Sequence, residues 1–122
     1  MRKITRESAE AFKEERKYSK ANTTVRVWIE SNMLPYHSVE MCLHGNLIAK
    51  RKGNQLMVTL AGWDTPTTKE RVNGLLSIMG CKGKFYTRKG QTYFEEAAID
   101  SDTEITIDLS EYNSYSINRE VA

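Results

Sequence analysis

The stretch Leu43-His44-Gly45-Asn46-Leu47-Ile48-Ala49-Lys50-Arg51-Lys52-Gly53-Asn54-Gln55-Leu56-Met57-Val58-Thr59-Leu60-Ala61-Gly62-Trp63-Asp64-Thr65-Pro66-Thr67-Thr68-Lys69-Glu70-Arg71-Val72-Asn73-Gly74-Leu75-Leu76 decides the fold. Its first half carries two turn signals. His44-Gly45-Asn46 tolerates positive φ and reads as a turn or a bulge. Lys52-Gly53-Asn54-Gln55 reads as a hairpin turn. Leu56, Val58 and Leu60 then alternate along a returning strand that runs to Ala61. Gly62-Trp63-Asp64 breaks that strand. Pro66 suits the first position of a helix. Thr67, with Glu70 three residues on, has the form of a capping box, although Thr65 is an equally good N-cap. The helix continues through Val72, Leu75 and Leu76 and stops near Gly80. Gly74 weakens its interior by ~1 kcal/mol relative to Ala, which predicts a close contact there.

The rest of the chain builds outward from this unit. Thr5 to Tyr18 reads as a thin amphipathic helix with Thr5 as N-cap and Phe12 as its main apolar contact. Thr23 to Glu30 and Tyr36 to Leu43 alternate as half-buried strands, joined by a loop from Ser31 to Pro35. Lys84 to Thr87 and Thr92 to Phe94 form a second hairpin around Arg88-Lys89-Gly90-Gln91. Glu104 to Leu109 alternates through Ile105, Ile107 and Leu109. Residues 110–122 are polar and read as an ordered edge or a loose tail. The predicted order is α-β-β-β-α-β-β-β. Short antiparallel connections make this an α+β fold, a single domain over residues 1–122 with a mainly antiparallel sheet and two helices.

Composition bounds the function classes. Hydrophobic residues make up 39% and charged residues 28% of 122, which is a globular and not a disordered balance. Cys42 and Cys81 lie in no CxxC or Cys/His array, so a reducing compartment is expected. The basic Met1–Arg6 segment is followed by acids and not by an apolar run, and no stretch approaches membrane-spanning length. The expectation is a cytoplasmic chain with no membrane contact. The net charge of +2 hides an asymmetry: residues 48–90 carry nine Lys/Arg against two acids, and residues 95–122 carry eight acids against one base. Such a pattern suits a basic binding surface with an acidic flank, or a dipolar surface whose halves neutralise each other.

Two segments have the chemistry of phosphate recognition. A helix start presents unpaired N–H groups and a positive dipole end, and Thr67, Thr68, Lys69 and Arg71 add hydroxyls and charge there. Helix capping alone calls for the same Thr and Glu residues. Lys84, Tyr86 and Arg88 on the second hairpin interleave bases with aromatics, as nucleic-acid-binding surfaces do, and an amphipathic hairpin has the same pattern. Phe85 and Tyr86 cannot share a strand face. Lys50 and Arg51 extend the basic set. His37, Cys42 and His44 are metal-competent residue types, but their spacing matches no zinc pattern, and no metal or cofactor is expected. Asp100, Asp102, Glu104 and Asp108 read as a solvated strand face. No GxSxG, HExxH or P-loop occurs, so an enzyme is not expected.

His44-Gly45-Asn46-Leu47-Ile48-Ala49-Lys50-Arg51 and Gly62-Trp63-Asp64-Thr65-Pro66-Thr67-Thr68-Lys69-Glu70-Arg71-Val72-Asn73 together resemble a family of small bacteriophage proteins. That family's pattern is His-Gly-Asn-x-Ile-Ala-x-Arg, a short hairpin, then Gly-Trp-x-Thr-x-Thr-Thr-Lys-x-Arg-x-Asn. The acidic segment from Glu95 onward departs from its shorter members. The resemblance implies a phage origin, action inside an infected bacterium and this architecture, and it carries no mechanism. The leading expectation is a non-enzymatic protein that contacts nucleic acid or another phosphate-bearing ligand. The rivals are a host-takeover or anti-defence inhibitor that binds a host protein, through the acidic C-terminal region, and a sponge for a nucleotide signal.

Overall fold

The computed structural model describes residues 1–30, 36–111 and 113–118. The expected loop from Ser31 to Pro35 and the last four residues of the chain lie outside them, as does the side chain of His37.

The chain runs α1 (Lys3–Lys13), β1 (Tyr18–Lys20), β2 (Thr23–Glu30), β3 (Tyr36–Leu43), β4 (Asn46–Lys52), β5 (Gln55–Val58), α2 (Pro66–Ile78), β6 (Phe85–Arg88), β7 (Gln91–Phe94), β8 (Ala97–Ala98), β9 (Glu104–Asp108) and β10 (Ser114–Asn118). Seven strands form one antiparallel sheet in the order β1-β2-β3-β4-β5-β9-β10, and β6-β7-β8 form a second. The α+β class holds, with more strands than the sequence predicted. His44 (φ 51°) and Gly45 (φ 80°) are both left-handed, and Leu43 pairs with Asn46. That is a two-residue hairpin turn, the turn and not the bulge of the two readings open to His44-Gly45-Asn46, so β3 ends at Leu43 as expected and β4 follows. A separate bulge lies between Met41 and Cys42. Lys89 and Gly90 turn the second hairpin in the same way.

Alternation along the strands builds the core. Val25, Met41, Ala49, Val58 and Ile105 are successive register partners across five strands, and all are buried. Against this face lie α1, through Ala9, Ala11 and Phe12, and α2, through Val72, Leu75 and Leu76. The opposite face carries the row Arg26, Glu40, Lys50, Met57 and Thr106. In the small sheet, Phe85 and Phe94 meet edge to face at 4.9 Å. Phe94 also meets Tyr115 of β10 at 5.0 Å, which ties the two sheets together.

α1 differs from its sequence reading. It begins at Lys3, after an Arg2 N-cap that makes no side-chain bond, and ends at Lys13. Tyr18 belongs to β1, where it pairs with Val25. Thr5 is not the cap. Its hydroxyl is inside the protein, bonded to Glu70 and Arg71 of α2. The helix is not thin either: Thr5, Ser8, Ala9, Ala11 and Phe12 are all buried. Small residues let the helices approach closely, and a Cβ on Gly74 would stand 2.2 Å from Thr5 Cγ2. That contact is the reason for glycine at this position.

Candidate functional site

The two motif segments meet. The β3–β4 turn brings up Leu43, His44, Asn46 and Ile48, while the run into α2 brings up Leu60, Trp63, Thr65, Thr67 and Thr68. Together they line a surface cavity of about 350 Å³ at the start of α2. Leu43, Ile48 and Leu60 are buried and form an apolar floor. His44 and Asn46 stand exposed at the rim. Trp63 lies on the wall, and 57% of it is exposed.

Local chemistry fixes the wall. Ala61 (φ 56°) and Gly62 (φ 87°) turn the chain sharply out of β5. The Gly62 N–H donates to the Ser101 carbonyl at 3.0 Å, which anchors the turn to the loop before β9. Thr65 is the N-cap: its Oγ1 accepts from the Thr68 N–H at 3.1 Å, and Pro66 follows at the first helical position. The alternative capping box does not form. Glu70 accepts instead from Thr5 and Arg71. Thr65 and Thr68 also share a hydroxyl bond at 2.9 Å. Thr67 remains half-exposed at the cavity, on the turn where a helix leaves amides without helical partners.

Asp64 couples the cavity to the basic hairpin. Its carboxylate accepts from Thr87 at 2.7 and 2.8 Å and from Thr92, and pairs with Lys69 at 2.7 Å. Lys69 also donates to Thr87. Burial alone would push the Asp64 carboxyl up; the bonds from Lys69, Thr92 and Thr87 outweigh it and hold the group below its ordinary value. This cluster sets β6 beside Trp63 and Thr65.

The sequence-predicted residues therefore sort into three groups. Thr67, Thr68 and Lys69 stand at or beside the cavity; Lys84, Tyr86 and Arg88 are on the hairpin that Thr87 ties to Asp64, with Tyr86 and Arg88 on the strand face opposite Thr87. Lys84 and Arg88 are exposed. Tyr86 stacks on Tyr93 at 5.3 Å and donates to the Glu95 carbonyl at 2.6 Å. Its neighbour Phe85 is in the core, so the pair lies on opposite faces as strand geometry requires. Lys50 and Arg51 do not join the group. Lys50 is on the sheet face opposite α2, and Arg51 donates to the Gly53 carbonyl at 3.1 Å. Arg71 is inside the protein, only 1% exposed. Its Nε donates to Thr23 Oγ1 at 3.1 Å and its NH1 to Thr5 and to Glu70, so it fastens α2 to α1 and β2. Burial lowers the pKa of the guanidinium, and Glu70 opposes that. A buried charge needs partners of this kind, and those partners leave Arg71 no free donor fork for a ligand. Thr68 is likewise buried. Asn73 exchanges two 2.8 Å bonds with the Phe85 backbone and clamps β6 to α2.

Sequence reasoning named the helix start but missed Trp63, His44 and Asn46 as cavity residues. The available signal was a bulky indole beside Gly62, in a segment too short to bury it. Among the described residues, no group of three or more His, Cys, Asp and Glu is placed to hold a metal. No helix among them is long and apolar enough to cross a membrane.

These features define a small antiparallel α+β domain that gathers two separate sequence segments around one surface cavity. The chain belongs to the Kyanoviridae Gp96 protein family, whose sequence model matches residues 1–118. It is a phage protein, as its resemblance implied. No curated protein and no solved structure matches it.

Proposed function

We propose that this phage protein is a non-enzymatic binding protein that acts inside the infected bacterium and takes single-stranded nucleic acid at the α2 cavity. Trp63 carries the reading: a 57%-exposed indole on the wall of a 350 Å³ cavity is a surface for a stacked base. His44 and Asn46 offer edge contacts to that base. Thr67 and the first turn of α2 suit the adjoining phosphate. Lys84 and Arg88, exposed on the docked hairpin, suit phosphates further along the strand. Lys69 is neutralised by Asp64 and Arg71 is buried, so both act by holding the site's shape.

The test is fluorescence polarisation with labelled single-stranded DNA and RNA over a salt series. Binding weakens as salt rises, and Trp63→Ala costs roughly 1–3 kcal/mol while Arg88→Ala mainly reduces the salt slope. Absence of binding to either strand at low salt refutes the reading. Binding to mononucleotides that gains nothing from chain length replaces it with a nucleotide sponge. A host protein recovered in stoichiometric amount with no nucleic acid replaces it with the inhibitor reading.

A further inference from the structure

β1 covers only part of the neighbouring strand. It pairs with Thr23, Thr24 and Val25, and no other strand among the described residues lies on that side of β2. Among the described residues, the segment Arg26-Val27-Trp28-Ile29-Glu30 is therefore a sheet edge. An open groove of about 650 Å³ runs beside it, lined in part by Lys17, Tyr18, Arg26, Val27 and Trp28. Edge strands invite pairing, and proteins usually blunt them with charged side chains, Pro, bulges or short length. This window has no Pro, and its register against β3 is unbroken.

Its central residue is exposed yet fixed. Trp28 is 50% exposed. Its Nε1 donates to Glu40 Oε1 at 2.8 Å, and the Arg26 guanidinium sits 5.9 Å from its ring centroid. Arg26 also pairs with Glu40 at 3.5 Å. An indole held in place at an open edge keeps apolar surface in water without losing side-chain freedom on contact.

The residue order says what fits there. Read from either end, the window is charged, aliphatic, aromatic, aliphatic, charged, with opposite charges at its ends. β1 bounds it on one side and the end of β2 on the other, so its midpoint is Trp28. Antiparallel pairing of two copies about that midpoint sets Arg26 against position 30, Val27 against Ile29 and Trp28 against Trp28. The sequence then sets an Arg position opposite a Glu position at each end of the pairing, and no two like-charged positions meet. A centre moved to Val27 loses both opposite-charge pairs.

We propose that the β2 edge pairs with the β2 edge of a second copy, which makes one continuous sheet across a two-fold axis at Trp28. This surface is distinct from the α2 cavity: the register puts Thr23 next to Leu43 at the cavity end of β2 and the window at the other end.

Sedimentation velocity over a concentration series tests it on the full chain. The wild type shifts from monomer to dimer as concentration rises. Glu30→Arg sets Arg against Arg at both ends and weakens the dimer about tenfold. Mixing Glu30→Arg with Arg26→Glu restores a heterodimer, because each like-charge pair becomes an opposite-charge pair. Cross-strand Cα separations of ~4.5–5.5 Å fall within disulfide range, so Trp28→Cys gives a disulfide-linked dimer on mild oxidation and Lys17→Cys does not. Circular dichroism of each variant confirms the fold. A wild type that stays monomeric at its highest soluble concentration overturns the proposal. So does a dimer insensitive to the charge changes with Trp28→Cys left unlinked.

Discussion

Replacing Arg71 with Met separates a structural arginine from a ligand-contacting one. Met keeps much of the volume and removes the charge. The loss is worked from the partners: Thr23 Oγ1 loses its donor at 3.1 Å, Glu70 Oε1 loses one at 3.0 Å, and Thr5 loses a third. Thr5 and Thr23 are fully buried, so no water replaces the guanidinium. Removing one member of such a buried group costs ~3–5 kcal/mol. For a domain of this size that lowers Tm by roughly 10–25 °C, at about 3–5 °C per kcal/mol. Arg71→Lys keeps charge but lacks the planar fork, and it falls between wild type and Arg71→Met. The assay is thermal unfolding by far-UV circular dichroism, with binding to single-stranded DNA measured well below the variant's Tm. The expected result is a large Tm loss with near-normal affinity. A Tm shift of only a few degrees with abolished binding refutes the reasoning, because it makes Arg71 a ligand contact despite its burial.

Two further predictions concern the same framework. Gly74→Ala drives a methyl to 2.2 Å from Thr5 Cγ2 and destabilises by ~1–3 kcal/mol; Thr5→Ser, which deletes that methyl and keeps the hydroxyl, rescues part of the loss in a double-mutant cycle. Asp64→Asn tests the cluster between cavity and hairpin through pH. The folded pKa of Asp64 is depressed, so its contribution is present above the unfolded value and is lost as pH falls through the folded one. The Tm gap between wild type and Asp64→Asn is therefore full above about pH 5 and closes in acid below the ordinary carboxylate range. A gap independent of pH rules out the carboxylate's bonds to Lys69, Thr92 and Thr87 as its source.

Local signals were legible where a residue's conformation depends on its neighbours in sequence. The hairpin at Gly53-Asn54, the second hairpin, the break at Gly62-Trp63 and the capped start of α2 all follow from short-range geometry. Gly74 was readable as a contact, though not with what. The N-terminal helix forms as expected but without Thr5 as its cap: Thr5 has the residue type of a cap, while its hydroxyl has partners 65 and 66 residues away. The segment before the C-terminus read as an ordered edge or a loose tail, because the pattern of Ser114–Asn118 is weak alone; its pairing with β9 makes it the ordered edge β10.

The α+β class, the antiparallel connectivity and the cluster of chemically distinctive residues around α2 were determined by the sequence alone, because periodicity and turn chemistry act over a few residues. Tertiary structure decided which of those residues face outward. Arg71 and Lys69 read alike in sequence as free cations, yet one is sealed between two helices and a strand and the other is neutralised by Asp64. Lys50 reads as a neighbour of the site, and strand alternation puts it on the far face of the sheet. Burial and charge pairing depend on contacts between residues distant in the chain, and no local pattern encodes them. The same packing brings His44, Asn46 and Trp63 from separate motifs to one cavity.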